Sequence, residues 1–552
     1  MIARAARTGL ALTLALAIAA CSKIGTSTAP NAIGAGTIPG IYRYDDIQEP
    51  STMNPILRTE AVSSDIDMFV MGFFYNNDNK MRPIPELATE VPTLQNGGIS
   101  KDGLTITYHL RKGVKWQDGA PFTARDVIFT WQAIMNPKNN VETRSGYDKI
   151  ASIEAVGDYE VKVHLKQVYG PAVATFFAFG GLYPVLPAHL LEQQNATGDL
   201  NHAAFNTHPI GTGPFRFVQW VHGDRIELEA NPNYWRGPPK LKRIIFRIVA
   251  DDNTILVQLK THETDGWFRA ASQLWPQIKQ LPAYGYNVQL EPSLAFSHLD
   301  LNMQNPIFGD LRVRQAIHYA IDVQEIINNV THGIGIPAQA DIAPFSWAYN
   351  PNAPWFHYDP AKAAQLLTQA GWVPGPDGIR QKNGQRLSFT LSAVTGGKSG
   401  EATEALLQQQ FKKVGIEVTI KNYPASLFFA TMGGGGILQN GKYDIALYAW
   451  VESIDPDDNS LYSSSQIPPH GQNSLFWKDP VLDAAEVGQL GSLDQNVRKK
   501  YFWIIQNEIA TQSVTDILYF NRYPYVWNKG LTGLIPAPAG TSNWNTWEWS
   551  MQ

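Results

Sequence analysis

Carboxylates set close to an aromatic ring are suited to holding a cation, and residues 450–457 (WVESIDPD) offer that combination. Trp450, Glu452 and Asp455 are therefore candidate ligand-binding residues. The plainer reading of the same stretch is a turn at Asp455-Pro456. Tyr44 is a weaker aromatic candidate, and Trp347, Tyr349 and Trp355 are weaker still. Reaction chemistry finds little support. The run His262-Glu263-Thr264-Asp265 lacks the second histidine of a zinc-binding helix, and there is no Gly-x-Ser-x-Gly elbow. The 12 histidines do not cluster at metal-ligand spacing. Gly433–Gly436 is not followed by the Gly-Lys-Ser/Thr of a phosphate loop. No catalytic residue, metal site or cofactor is expected.

Cys21 is the single cysteine of the 552 residues, so no disulfide within one chain is expected. It follows the basic residues Arg4 and Arg7 and the apolar run from Gly9 to Ala20, which is too short to span a bilayer but suits a signal-peptide core. The junction Ile18-Ala19-Ala20-Cys21 resembles a bacterial lipobox, in which the cysteine is acylated and becomes the first mature residue. Residues 22–36 (SKIGTSTAPNAIGAG) then read as a flexible tether. Lys and Arg number 44 against 49 Asp and Glu, a net charge of −5, and loss of residues 1–20 makes the chain more acidic by two arginines. With no basic block anywhere, a nucleic-acid partner is not expected.

These residues need elements to position them, and the pattern is of alternating strands and helices. Residues 106–110 and 160–165 alternate apolar and polar side chains as half-buried strands do, and 152–156 and 442–450 read as further strands. Residues 123–135 read as a helix capped by Thr123 with Asp126 in its first turn, and Pro137 stops it. Residues 360–370 read as a helix led by Asp359 and Pro360, and 311–330 and 400–414 look helical as well. A length of 552 residues exceeds one simple core, which points to α/β architecture in more than one lobe.

Seven stretches in order resemble the peptide/nickel/opine family of extracellular solute-binding proteins, the group that holds the oligopeptide- and dipeptide-binding proteins. The most specific lies within residues 100–137, where a strand ending in Leu110-Arg111 leads to Gly113-Val114-Lys115-Trp116 and then to Asp118-Gly119, Pro121-Phe122-Thr123-Ala124 and Asp126-Val127. The others are Glu49-Pro50 to Asn54-Pro55, PELA at 85–88, GTGPF at 211–215, NPNYW at 231–235, DLRVRQAIHYAID at 310–322 and DPAKAAQLLTQAGW at 359–372. Each also reads as fold punctuation: Gly211 and Gly213 would admit a close backbone approach.

The resemblance implies a two-lobed periplasmic-binding-protein fold, a hinged trap of α/β class with an additional third domain. Carried onto this chain it gives a signal peptide over 1–20 and a lipid-anchored tether over 21–37. Lobe I would comprise 38–57, 190–265 and 525–552, the extra domain 58–189, and lobe II 266–524. The implied function is capture of a short peptide for an ABC permease, by a monomer anchored outside the cytoplasm through Cys21. In the peptide-binding relatives an Asp three residues after a Trp holds the peptide amine. Here that position is Ser453, with Glu452 and Asp455 out of register. The departure leaves room for a sugar, an opine or a metal chelate, or for an envelope sensor or chaperone on the same fold.

Overall fold

A computed structural model describes residues 34–552 apart from 59, 182 and 541. The expected signal peptide, the lipidation site Cys21 and most of the tether lie outside the described residues.

The frame is one long sheet. Its central members are Tyr286–Leu301 and Thr515–Asn528, of 16 and 14 residues, paired antiparallel. At about 3.3 Å per residue the longer one reaches about 50 Å, enough to run from one half of the molecule into the other. On one side Thr515–Asn528 pairs with Gly266–Trp267, followed by Ile41–Asp46, Arg243–Ile248, Arg225–Ala230 and Phe215–Val221. On the other side Tyr286–Leu301 pairs with Ile445–Val451, followed by Ser388–Ser392 and Glu417–Ile420. The ladder between the two central strands is interrupted between Pro292 and Phe296, midway along both. A bulge at that point lets the strand bend locally.

Each half has its own core. Tyr42, Phe69, Val163, Phe246 and Trp549 belong to the first, and Leu299, Ile317, Leu391, Phe411 and Leu518 to the second. The first also carries a small sheet of Thr105–His109, Glu160–Leu165 and Ile150–Ala155. Gly266 and Trp267 pair with Tyr44 and Asp45, and Trp267 packs on Ile255 and Leu259. The chain therefore changes halves within Tyr286–Leu301, later than the edge at 266 read from the sequence.

Local signals account for many element ends. The helix Ala124–Met135 begins where the Asp126 carboxylate accepts from the Thr123 backbone N–H at 2.9 Å. Asp359 accepts from the Lys362 N–H at 2.9 Å and opens Pro360–Gln369. Residues 311–330 form two helices rather than one, Leu311–Ala320 and Val323–Val330, because Asp322 accepts from the Glu325 N–H at 2.9 Å and starts a new helix. The close approach expected at Gly211 is present: a Cβ there would sit 1.8 Å from the Val70 carbonyl oxygen. Among the described residues no helix is long and apolar enough to cross a membrane.

Candidate functional site

The two halves face each other across a cleft with two cavities, of about 490 and 650 Å³. Both volumes fall in the range of about 300–1,000 Å³ usual for small-molecule sites.

The smaller cavity lies against the central strands. The first half contributes Arg269 and Gln273, the second Ser399 and Tyr448, and the strand Thr515–Asn528 contributes Asn521 and Arg522. Arg269 has φ of 51°, a left-handed conformation that is unusual for a non-glycine residue. Its guanidinium is fixed by Asp65, with Nη1 donating to Oδ1 at 2.7 Å and Nη2 to Oδ2 at 2.5 Å, while Asp46 lies at 3.5 Å. Burial pushes the Asp46 carboxyl up to about 6, against the pull of Arg269. Gln273 Nε2 donates to Ser399 Oγ at 2.8 Å, a hydrogen bond from one half to the other.

The larger cavity lies between the 75–180 region of the first half and, in the second, residues 345–347, 454–455 and the start of the helix Gln495–Gln512. Trp347, Asp455 and Arg498 line it from the second half and Arg82, Gly170 and Val173 from the first. Here the halves touch: the Gly170 N–H donates to the Leu490 carbonyl at 2.7 Å. Arg498 is buried over the Trp347 ring at 5.2 Å, and its Nη1 donates to Asp455 Oδ2 at 2.8 Å. Burial raises the Asp455 carboxyl, and Arg498 opposes that shift.

Of the four residues proposed from the sequence to bind ligand, Asp455 lines one of these two cavities and the other three line neither. Tyr44 is fully buried, 4.9 Å from Phe268 and 5.2 Å from Phe246 between ring centroids, and its hydroxyl donates to Asp65 at 3.1 Å. Its strand faces the core, so it supports the carboxylate that holds Arg269. Trp450, opposite Phe296 in the ladder, packs between two apolar clusters and lines neither cavity. Glu452 turns inward at 6% exposure, and its Oε1 accepts from the backbone N–H groups of Ser453 at 2.7 Å and Asp457 at 3.3 Å. Strand alternation sends it to the protein side of the loop, where it joins buried Asp341, Asp458 and Glu486. Arg269, Gln273, Ser399 and Arg522 were not anticipated, since no local motif marks them. Tyr448, on the strand-like stretch 442–450, sat within a recognised element.

Two halves joined by a pair of long strands around a cleft define a periplasmic-binding-protein-like fold of α/β class. The chain belongs to the family described as bacterial extracellular solute-binding proteins, family 5, whose middle region it matches over residues 82–468. Members of this family are extracytoplasmic binding proteins that serve transport and are not enzymes. The oligopeptide-binding protein AppA of Bacillus subtilis is 31% identical over 534 residues, covering 95% of this chain and 94% of AppA. The glutathione-binding protein GsiB of Pectobacterium atrosepticum is 28% identical over 500 residues, covering 88% of this chain and 90% of GsiB. NikZ from Campylobacter jejuni, in complex with Ni(L-His), superposes with a TM-score of 0.76 at 28% identity, covering 93% of this chain and all (100%) of NikZ. These relatives are substrate-binding proteins of ABC importers.

Proposed function

We propose that this chain is the substrate-binding lipoprotein of an ABC importer and captures a short peptide between its two halves. The observation that carries the reading is the cleft, to which both halves contribute side chains on either side of two shared strands. Such a site binds by favouring the closed arrangement of the halves and needs no reaction. Two cavities along one cleft suit an extended ligand, whose backbone can be held like an added strand. AppA, named for oligopeptide binding, supports the peptide class. The proposed division places 38–57, 525–552 and the part of the chain from 190 into Tyr286–Leu301 in lobe I. It places 58–189 in the extra domain, and the chain from within Tyr286–Leu301 to 524 in lobe II. The Cys21 lipobox would hold the body, a monomer, outside the cytoplasm, anchored to the membrane. A Cys21→Ser chain is then expected in the soluble fraction, and continued membrane fractionation would count against the anchor.

One observation favours a second reading, a non-peptide solute such as a sugar, opine or metal chelate. Ser453 replaces the amine-binding Asp, and Asp455 is already engaged by Arg498. Incubation with a peptide pool, followed by extraction and mass spectrometry of the retained fraction, separates the two. The peptide reading expects retained peptides of unchanged mass. An empty fraction would favour the second reading, and cleaved products would contradict both.

A further inference from the structure

The smaller cavity has an unbalanced charge. Among the described residues, no Asp or Glu lines it, yet it contains two arginines, Arg269 and Arg522. Arg269 is neutralised by its two contacts with Asp65. Arg522 makes no ion pair among the described residues, and its Nε is covered from solvent with no hydrogen-bond partner. One carboxylate feels its charge, that of Glu291, which accepts from Gln289 Nε2 at 2.5 Å and, being buried, holds its proton above the usual carboxylate range. Glu291 lies within the field of Arg522 but forms no salt bridge with it.

Several other polar groups of the cavity are already engaged. Gln273 donates to Ser399, Thr331 Oγ1 donates to the Ile327 carbonyl at 2.8 Å, and Asn521 Nδ2 donates to the Tyr523 hydroxyl at 3.3 Å. A guanidinium that is half-buried and unpaired is costly in a closed cleft, so the cavity is built for a group that brings the missing charge. The position of Arg522 adds to this. It sits opposite Pro292, where the ladder between the two shared strands breaks. A ligand held there contacts the connection between the halves as well as both walls.

Resting on the reading of the cleft as the solute site, we propose that Arg522 anchors a carboxylate of the bound ligand in the cavity beside the central strands. A planar fork of donors matches a carboxylate with two parallel hydrogen bonds. One unpaired guanidinium balances one negative charge, which favours a carboxylate over a dianionic phosphate. For a peptide this group is its C-terminal carboxylate.

The test uses the full chain and two probes, a peptide pool with free C-termini and the same pool amidated. The wild-type chain is expected to retain the free acids at least tenfold over the amides. Arg522→Gln is expected to abolish that preference and Arg522→Lys to keep part of it, with the melting temperature of each variant checked first. Equal retention of acids and amides by the wild-type chain would overturn the carboxylate assignment and leave the cleft reading intact. Retention of neither pool would overturn the peptide reading and the assignment that rests on it. Inorganic phosphate that displaces the free acids as well as acetate does would place the charge preference on oxyanions in general and overturn the choice of carboxylate.

Discussion

A Gly170→Val chain is expected to lose ligand affinity by about a hundredfold or more, about 2.7 kcal/mol, while its own fold stays intact. A Cβ on Gly170 would lie 2.7 Å from the carbonyl oxygens of Gln489 and Ser492 and 2.8 Å from Arg498 Nε. All three belong to the opposing half, so two of the three clashes are with backbone that a rotamer change does not relieve. Gly170 is absent from the positive-φ glycines, so a side chain is compatible with its backbone. The substitution thus strains the meeting of the halves and not the packing of either. If ligand binds the closed arrangement, apparent affinity falls by the fraction of molecules able to close. Calorimetry with a retained peptide measures this, and an unchanged dissociation constant would show that the contact at Gly170 has no part in binding.

The second large effect concerns pH. Asp341, Asp458 and Glu486 are fully buried, with Glu452 beside Asp458 and the Tyr462 hydroxyl beside Asp341. Tyr462 and Asp457 complete the surroundings, and Arg498, the cation near Asp457, is engaged by Asp455. Burial, reinforced by Glu452, pushes the Asp341 carboxyl up to about 7, and burial raises the other three as well. In the unfolded chain an Asp releases its proton near pH 4. Between these values the folded state binds more protons than the unfolded one, so stability falls as pH rises from about 4 to about 7. One such group contributes up to about 1.4 kcal/mol per pH unit over that window. An Asp341→Asn chain, which removes one ionisable member without changing shape, is expected to melt higher than wild type at pH 8 and to show a shallower loss of stability with pH. Thermal melts at pH 4, 6 and 8 measure it. A variant that melts lower at pH 8, with the wild-type slope retained, would contradict the account of the cluster.

What was legible in the sequence was what short segments decide by themselves. The helix start at Thr123 with Asp126 in its first turn, the Pro360 helix and the glycine at 211 each follow from a few neighbouring residues, and the structure holds all three. The split at Asp322 was missed because apolar spacing runs on across it while a single side-chain hydrogen bond restarts the helix. The cleft was harder still. Arg269, Ser399 and Arg522 are brought together only by the two shared strands, and no local pattern reports a contact made over such separations. Tyr44 and Glu452 show the converse. Their residue types fit a binding site, but the face of the strand or loop on which each falls turns toward the protein interior.

The central claim is that the halves move toward each other when solute enters, and a distance between them tests it most directly. Spin labels at Val257→Cys and Val487→Cys, in a Cys21→Ser background, would stand on exposed helix positions of the first and second halves. Adding a retained peptide is expected to shorten and narrow the measured distance distribution in the otherwise wild-type chain, and to leave it broad in the Gly170→Val chain. The same distribution with and without peptide, in a chain that calorimetry shows to be fully bound, would contradict the hinged account.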